Sequence, residues 1–237
     1  MSFASVSFLL FFLVVLLLLL LVQRVLPFAE IKRRIICQGI LLIASYVFYG
    51  WWNMRLCLLL MGITWISFFT AVKKDEKHLR QSRISLLIGV GTPLTVLGIF
   101  KYYDFFVTSF CDVFHLTPGV LNLILPVGIS FYTFQALSYT IDVYTGKIEK
   151  EKSFLQFALY LSFFPQLVAG PIVKASEFLP QLKENRKVTL AGLESGIQIF
   201  VFGMFKKVVL ADNISVFVDE LYRSPQIFGS GTVALAV

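Results

Sequence analysis

The chain has 237 residues, of which 57% are hydrophobic and only 15% are charged, and its mean hydropathy is +0.81. Soluble domains average about 45–50% apolar and about 25% charged residues, so this composition excludes an ordinary soluble domain and predicts a protein surrounded by membrane lipid. The net charge of +7 does not indicate a nucleic-acid partner, because the basic residues occupy short loops between apolar runs, as the positive-inside rule requires of cytoplasmic loops.

Three apolar runs open the chain, and we interpret each as a membrane span. Phe3–Val22 has no basic residue before it and Arg24 after it, which predicts a retained helix with a cytoplasmic C-terminal end. A cleaved secretory signal is the alternative, although the expected basic residues ahead of the run are missing. The second and third predicted spans are Ile35–Trp52 and Leu56–Val72.

A charged segment, Lys73–Arg83, predicts a second cytoplasmic loop, in which His78 is expected to be solvated. Ile84–Phe100 is the fourth predicted span, and the aromatic segment 101–118 after it predicts a separate interfacial helix on the outer side. Three glycines in the fourth span favour close helix contacts, namely Gly89, Gly91 and Gly98.

The fifth predicted span, Leu121–Tyr144, carries polar residues at helical spacing. Spacings of three and four place them on one helix face, and they are Gln135, Ser138, Tyr139 and Asp142. One interpretation is hydrogen bonding between helices, which is common in membrane bundles. The other is that the face lines a water-filled or substrate-bearing cavity. The residues alone leave both open, and near the cytoplasmic end Lys147 could neutralise Asp142.

The apolar segment Phe154–Val173 is broken by helix-disfavouring residues and has basic residues on both sides. Pro165, Gly170 and Pro171 interrupt a helical pattern that also contains Gln166. Because both flanks look cytoplasmic, we predict a re-entrant hairpin or broken helix that enters from the cytoplasm. Such backbone is tolerated at membrane depth only when it is buried in protein or lines a cavity. A kinked full span is the alternative.

Thr189–Leu210 is the last predicted span, with Lys206 and Lys207 near its end and Asp212-Asn213 as an expected helix stop or cap. The sequence contains no Walker loop, zinc-protease motif or nucleophile elbow, so no metal or bound cofactor is assigned. The fold class expected from the residues is all-α: a polytopic membrane helical bundle with a re-entrant or broken helix around a polar centre.

Two long stretches go further by resemblance. LPVGISFYTFQALSYTIDVYTGKI and FALYLSFFPQLVAGPIVKASEFLPQL, supported by LLIASYVFYGWW and FGMFKKVVLADN, resemble the membrane-bound O-acyltransferase family in its alginate O-acetylation branch. The resemblance implies a multi-pass protein of the bacterial inner membrane that passes acetyl groups from a cytoplasmic acyl donor toward an extracellular polysaccharide. It also implies periplasmic or extracellular polysaccharide-acetylating partners. The donor would be a co-substrate rather than a bound cofactor.

We expect the polar face and the broken segment to border the path of the donor. The candidate residues are Gln135, Ser138, Tyr139, Asp142, Pro165, Gln166, Gly170 and Pro171. Alternatives are D-alanyl transfer to teichoic acid within the same family, a transporter, or a non-catalytic membrane subunit. An inverted repeat, which many transporters show, is not visible in the sequence.

The chain departs from the family pattern in its histidines. The family's essential histidine lies in an apolar span of the C-terminal half, and another lies in a WRRWHISLS-like stretch. His78 and His115 are the only histidines here, and neither lies in such a context, so no catalytic residue is assigned. We expect residues 1–237 to be the truncated N-terminal part of one acyltransferase domain, inactive alone, with the catalytic histidine supplied by a further C-terminal chain.

Overall fold

A computed structural model describes residues 3, 5–24, 29–75, 77–114, 119, 121, 123–167, 170–184 and 189–223. Every regular element in these ranges is a helix. In chain order they are α1 Val6–Arg24, α2 Glu30–Gly50, α3 Met54–Thr70, α4 Leu79–Phe114, α5 Ile129–Tyr144, α6 Phe154–Ser162, α7 Phe164–Leu167, α8 Ala175–Lys183, α9 Leu190–Phe205, a π-helical turn Lys206–Ala211, and α10 Asp212–Arg223.

Two helices are long and apolar enough to cross a membrane, α1 and α4. The 36 residues of α4 correspond to about 54 Å of helix. The predicted separate interfacial helix over 101–118 is therefore wrong as far as residue 114, because α4 continues without a break through this segment. No proline or glycine lies between Phe100 and Phe114, so nothing in the local sequence ends the helix there.

The chain divides into two compact units, the first formed by residues 1 and 14–185. Its core lies where α2, α3, α5, α6 and α8 meet, and the largest fully buried side chains among the described residues are Tyr132, Tyr139, Tyr160, Phe48, Phe157 and Phe164. Gly89 of α4 contacts α3 and α5, since a Cβ there would lie 2.5 Å from Oγ1 of Thr70 and 2.9 Å from Cγ2 of Thr140. Among the described residues, nothing lies within 4 Å of a Cβ built on Gly91 or Gly98, so the close contacts predicted there are not found in this part of the chain.

The second unit comprises residues 2–13 and 186–237. Thr189 caps α9 by accepting a 3.1 Å hydrogen bond from the amide of Gly192. The predicted stop at Asp212-Asn213 is wrong, since the helix runs on to Arg223. The side-chain amide of Asn213 instead donates to the carbonyl oxygens of Val208 and Val209, at 3.3 and 2.8 Å. It thereby stabilises the π-helical turn rather than ending the helix.

Candidate functional site

The segment predicted to be broken is a broken helix. α6 ends at Ser162, Phe163 adopts a non-helical conformation (φ −55°, ψ 109°), and α7 begins at Phe164 with Pro165 in its first turn. Pro165 cannot continue α6, because it has no N–H for the carbonyl of Leu161 and its ring would collide with that carbonyl. The break therefore lies two residues before the proline, and the predicted broken helix is confirmed.

The two ends of this segment meet at one place. Nζ of Lys183, at the end of α8, lies 2.8 Å from Oε2 of Glu151, just before α6. The N-terminal half of α2 holds the same end of α8: Nε2 of Gln38 donates to the carbonyl oxygen of Leu182 at 2.7 Å, and Arg34 donates to that of Lys183. We call residues 151–183 the hairpin, with its base at this ion pair.

The far end of the hairpin lies deep in the bundle. The amide of Phe164 donates to Oγ of Ser45 at 3.2 Å, and Ser45 lies about 16 Å further along α2 than Arg34. A Cβ on Gly128 would collide with the carbonyl oxygen of Leu167, so the end of α7 touches the start of α5. The chain then returns, and the hydroxyl of Tyr160 donates to the carbonyl oxygen of Val173 at 3.1 Å. The segment enters and leaves at the same end of α2.

The predicted polar face of α5 points partly into the bundle. Gln135 and Tyr139 are buried, while Ser138 and Asp142 are half-buried. The hydroxyl of Tyr139 accepts a 2.9 Å hydrogen bond from the amide of Glu151, which joins the face to the base of the hairpin. Oδ1 of Asp142 lies 3.4 Å from Nζ of Lys147, as the sequence suggested.

The other candidates lie around the break. Nε2 of Gln166 donates to the carbonyl oxygen of Tyr160 at 2.8 Å and ties α7 back to α6. Pro165, Gly170 and Pro171 are exposed and shape the backbone, with Gly170 at φ +130°. The structure therefore brings Tyr139 and the hairpin base together.

Glu151 is the central residue that the sequence interpretation missed. Its side chain is buried, Oε1 accepts hydrogen bonds from the amides of Lys152 and Ser153 at 2.9 and 3.0 Å, and Oε2 binds Lys183. Burial raises the pKa of this carboxyl, but the hydrogen bonds from Lys183 and the two amides outweigh it, so the pKa lies below its ordinary value. The available signal was an acidic residue directly before a helix, next to the N-cap Ser153.

A cleft of about 290 Å³ opens beside this carboxylate. It lies between the loop before α6 and one side of α8, and it is lined by Ile148, Glu149, Glu151, Ala175, Leu179 and Lys183. Most of its wall is aliphatic, and the charged pair lies at its edge.

The structure describes one of the two histidines of the chain. His78 is solvent-exposed, as predicted, and its Nδ1 lies 2.9 Å from Oδ2 of Asp75. The prediction for His115 falls outside the described residues. Within those residues, no cluster of three histidine, cysteine or acidic side chains is placed to bind a metal ion.

Comparison with known proteins supports the resemblance predicted from the motifs. Residues 147–230 match the model of the membrane-bound O-acyltransferase family. The chain is 37% identical over 189 residues to the probable alginate O-acetylase AlgI of Pseudomonas putida, covering 77% of this chain and 39% of that protein. It is 37% identical over 206 residues to the peptidoglycan O-acetyltransferase of Helicobacter pylori, covering 76% of this chain and 39% of the relative.

A shorter similarity, 30% identity over 95 residues, relates 39% of this chain to 23% of the teichoic acid D-alanyltransferase of Streptococcus thermophilus. The chain thus spans 39% of the length of each of the first two relatives. No solved structure matches it.

Proposed function

We propose, because the chain belongs to the membrane-bound O-acyltransferase family, that it takes part in acetyl transfer. The acetyl groups pass from a cytoplasmic acyl donor toward hydroxyls of a polysaccharide outside the cell. The matched acetylases act, by their names, on alginate and on peptidoglycan, and these two names support a polysaccharide as the acceptor.

The observation that carries the proposal is the hairpin closed at its base by Glu151 and Lys183. A polar backbone segment that enters and leaves on one side provides a route for a donor without opening the bilayer. The buried face with Gln135 and Tyr139 begins at this base and continues inward along α5. On this proposal the base faces the cytoplasm, in a multi-pass protein of the bacterial inner membrane.

This chain supplies the donor side of the reaction and not its catalytic base. A base that activates the acceptor hydroxyl must approach the proton it removes within hydrogen-bonding distance. His78 is exposed and paired with Asp75, which does not suit that role. The base comes from a histidine in a further C-terminal chain, and periplasmic or extracellular acetylating proteins receive the acetyl group.

The test compares acetyl transfer by the whole protein with that by residues 1–237. We expect O-acetyl groups on the exported polysaccharide of cells with the whole protein, and none with residues 1–237 alone at equal membrane abundance. Detectable transfer by the purified 1–237 chain would contradict the assignment of the base to another chain. An unchanged acetyl content after deletion of the whole protein would contradict the proposed function itself.

Topology is tested by labelling with a membrane-impermeant maleimide. Lys152→Cys and Lys174→Cys place exposed thiols on either side of the membrane-inserted part of the hairpin. Both are expected to react only in inside-out vesicles, with the unsubstituted protein as the control for its native cysteines. Reaction of the residue-174 thiol in intact cells would support the kinked full span instead.

D-alanyl transfer to teichoic acid is the second candidate, favoured by the weaker match to a D-alanyltransferase. Release of D-alanine rather than acetate from the modified envelope polymer distinguishes the two.

A further inference from the structure

The polar face of α5 is one turn longer than the sequence interpretation assumed. Tyr132 precedes Gln135 by three residues, so Tyr132, Gln135, Tyr139 and Asp142 follow one another on the same side of the helix. Tyr132 lies about 15 Å along the helix axis from Asp142. The face therefore extends from the base of the hairpin to the opposite end of α5.

At that end, Tyr132 meets a second tyrosine. The hydroxyl of Tyr49, from α2, approaches the hydroxyl of Tyr132, and the two residues are 4% and 0% exposed. The two hydroxyls interact with each other, but no hydrogen bond of normal geometry joins either one to another described group. When one hydroxyl donates to the other, the second O–H group is still buried without an acceptor, which is rare in native proteins because it loses its bonds to water without replacement.

The same bundle contains two more fully buried hydroxyls without a partner among the described residues, Oγ of Ser67 in α3 and Oγ1 of Thr133 in α5. By contrast, the buried hydroxyls of Thr64, Thr140 and Ser162 each donate to a carbonyl one turn earlier in their own helices. Helix packing alone would allow that back-bonding, so the unpaired hydroxyls need another explanation.

We propose that Tyr49 and Tyr132 bind an oxygen atom of a guest at the inner end of the polar face. The guest is the carbonyl of the acyl group in transit, with a water molecule in its place between turnovers. Two phenol O–H groups can both donate to one carbonyl oxygen, and the carbonyl oxygen is the hydrogen-bond acceptor of a small acyl group. The carbonyl part of this inference rests on the proposed function, whereas the binding of an oxygen acceptor does not.

The first test uses the sign of a stability change in the full chain, solubilised in detergent without any donor. If the hydroxyls bind water, Tyr49→Phe and Tyr132→Phe each lower Tm, by about 2–4 °C, and the double variant loses more than either single one. If the hydroxyls are simply unpaired, the single substitutions leave Tm unchanged or raise it, and the proposal is overturned. If the hydroxyls bond only to each other, the double variant loses no more than a single one, and the proposal is likewise overturned. Tyr139→Phe is the positive control, since its hydroxyl accepts from Glu151, and the exposed Tyr102→Phe is the neutral control.

The second test separates water from the acyl carbonyl. In the whole protein at equal abundance, loss of one donor to the carbonyl is expected to lower acetyl transfer by about three- to tenfold for each variant, with Tyr102→Phe unchanged. A lowered Tm with unchanged transfer would overturn the carbonyl assignment and leave a water site. If the wild-type protein transfers no acetyl group, the proposed function fails, and the Tm comparison still decides whether the tyrosines bind an oxygen acceptor.

Discussion

Oγ of Ser45 on α2 accepts a 3.2 Å hydrogen bond from the amide of Phe164, the first residue after the break in the hairpin. The break frees this amide from the hydrogen bond it would make in a continuous helix, and it is buried. A side chain on a neighbouring helix therefore compensates for the interruption that Pro165 imposes.

Replacing Ser45 by alanine removes the hydrogen bond that its hydroxyl accepts from the amide of Phe164. We expect Ser45→Ala to lower the free energy of unfolding by about 1–3 kcal/mol, measured by thermal unfolding in detergent. Ser162→Ala is the matched control, because Ser162 is equally buried but its hydroxyl donates to the carbonyl of Ala158 in its own helix, which keeps its helical bond. Equal losses in both variants would show that the bond across the break does not stabilise the fold.

The contact between Gly128 and Leu167 predicts a second sensitive position. Gly128 has φ +74°, and an added Cβ would meet a backbone carbonyl that cannot rotate away. Gly128→Ala is expected to destabilise the chain by about 2–3 kcal/mol, since both the left-handed backbone and the collision oppose it. Gly91→Ala in α4 is the control: its Cβ meets nothing within 4 Å, so added helix propensity stabilises by up to about 1 kcal/mol. Similar effects at both positions would contradict the contact.

The break in the hairpin and the polar face were predictable because both are local. Pro165 has no N–H to donate to a carbonyl of α6, and residues at spacings of three and four share a face in any helix. The length of α4 was missed because the predicted end at Phe100 rested on membrane thickness, which does not end a helix, and α4 runs on to Phe114.

The site itself was only half predictable. Tyr139 was singled out, but Glu151, whose amide donates to its hydroxyl, was not. The bond from Glu151 to Lys183 joins residues distant in sequence, so no periodicity reveals it. Asp212 and Asn213 look like a helix stop because such residues favour caps, yet here they stabilise a π-helical turn within a continuing helix.

The hairpin base should respond to acid. The pKa of Glu151 is lower in the folded state than in the unfolded state. The ionised carboxylate therefore contributes its full stabilisation above the unfolded-state pKa of about 4.3, and this stabilisation is lost as the pH falls through the lower folded-state pKa. At pH 7, Glu151→Gln is expected to lose about 1.5–3 kcal/mol of stability, because the bond to the ammonium of Lys183 is charged.

As pH falls from 7 to about 3, the Tm difference between wild type and Glu151→Gln should shrink, since the protonated carboxyl resembles the amide. Glu149→Gln, exposed on the same loop, is the control and should have little effect at pH 7. A difference that widens in acid would contradict the direction of the pKa shift.

The final prediction separates a donor path from ordinary helix packing in α5 and the hairpin. In the whole protein, Gln135→Leu replaces a buried amide by an apolar side chain of similar volume, which packing tolerates but a polar path does not. Pro165→Ala restores the N–H that a continuous helix needs and so favours closing the break. Both variants are expected to lower O-acetylation of the exported polysaccharide at least about tenfold, a change of about 1.4 kcal/mol, while membrane abundance falls less.

A matched control lies next to Gln135. Phe134→Leu alters an exposed position, so it should leave acetylation near wild type. If acetylation is unchanged in Gln135→Leu and Pro165→Ala, the polar face serves to hold helices together and the donor passes elsewhere. If Phe134→Leu loses as much activity as the two test variants, the loss reflects folding and not the path.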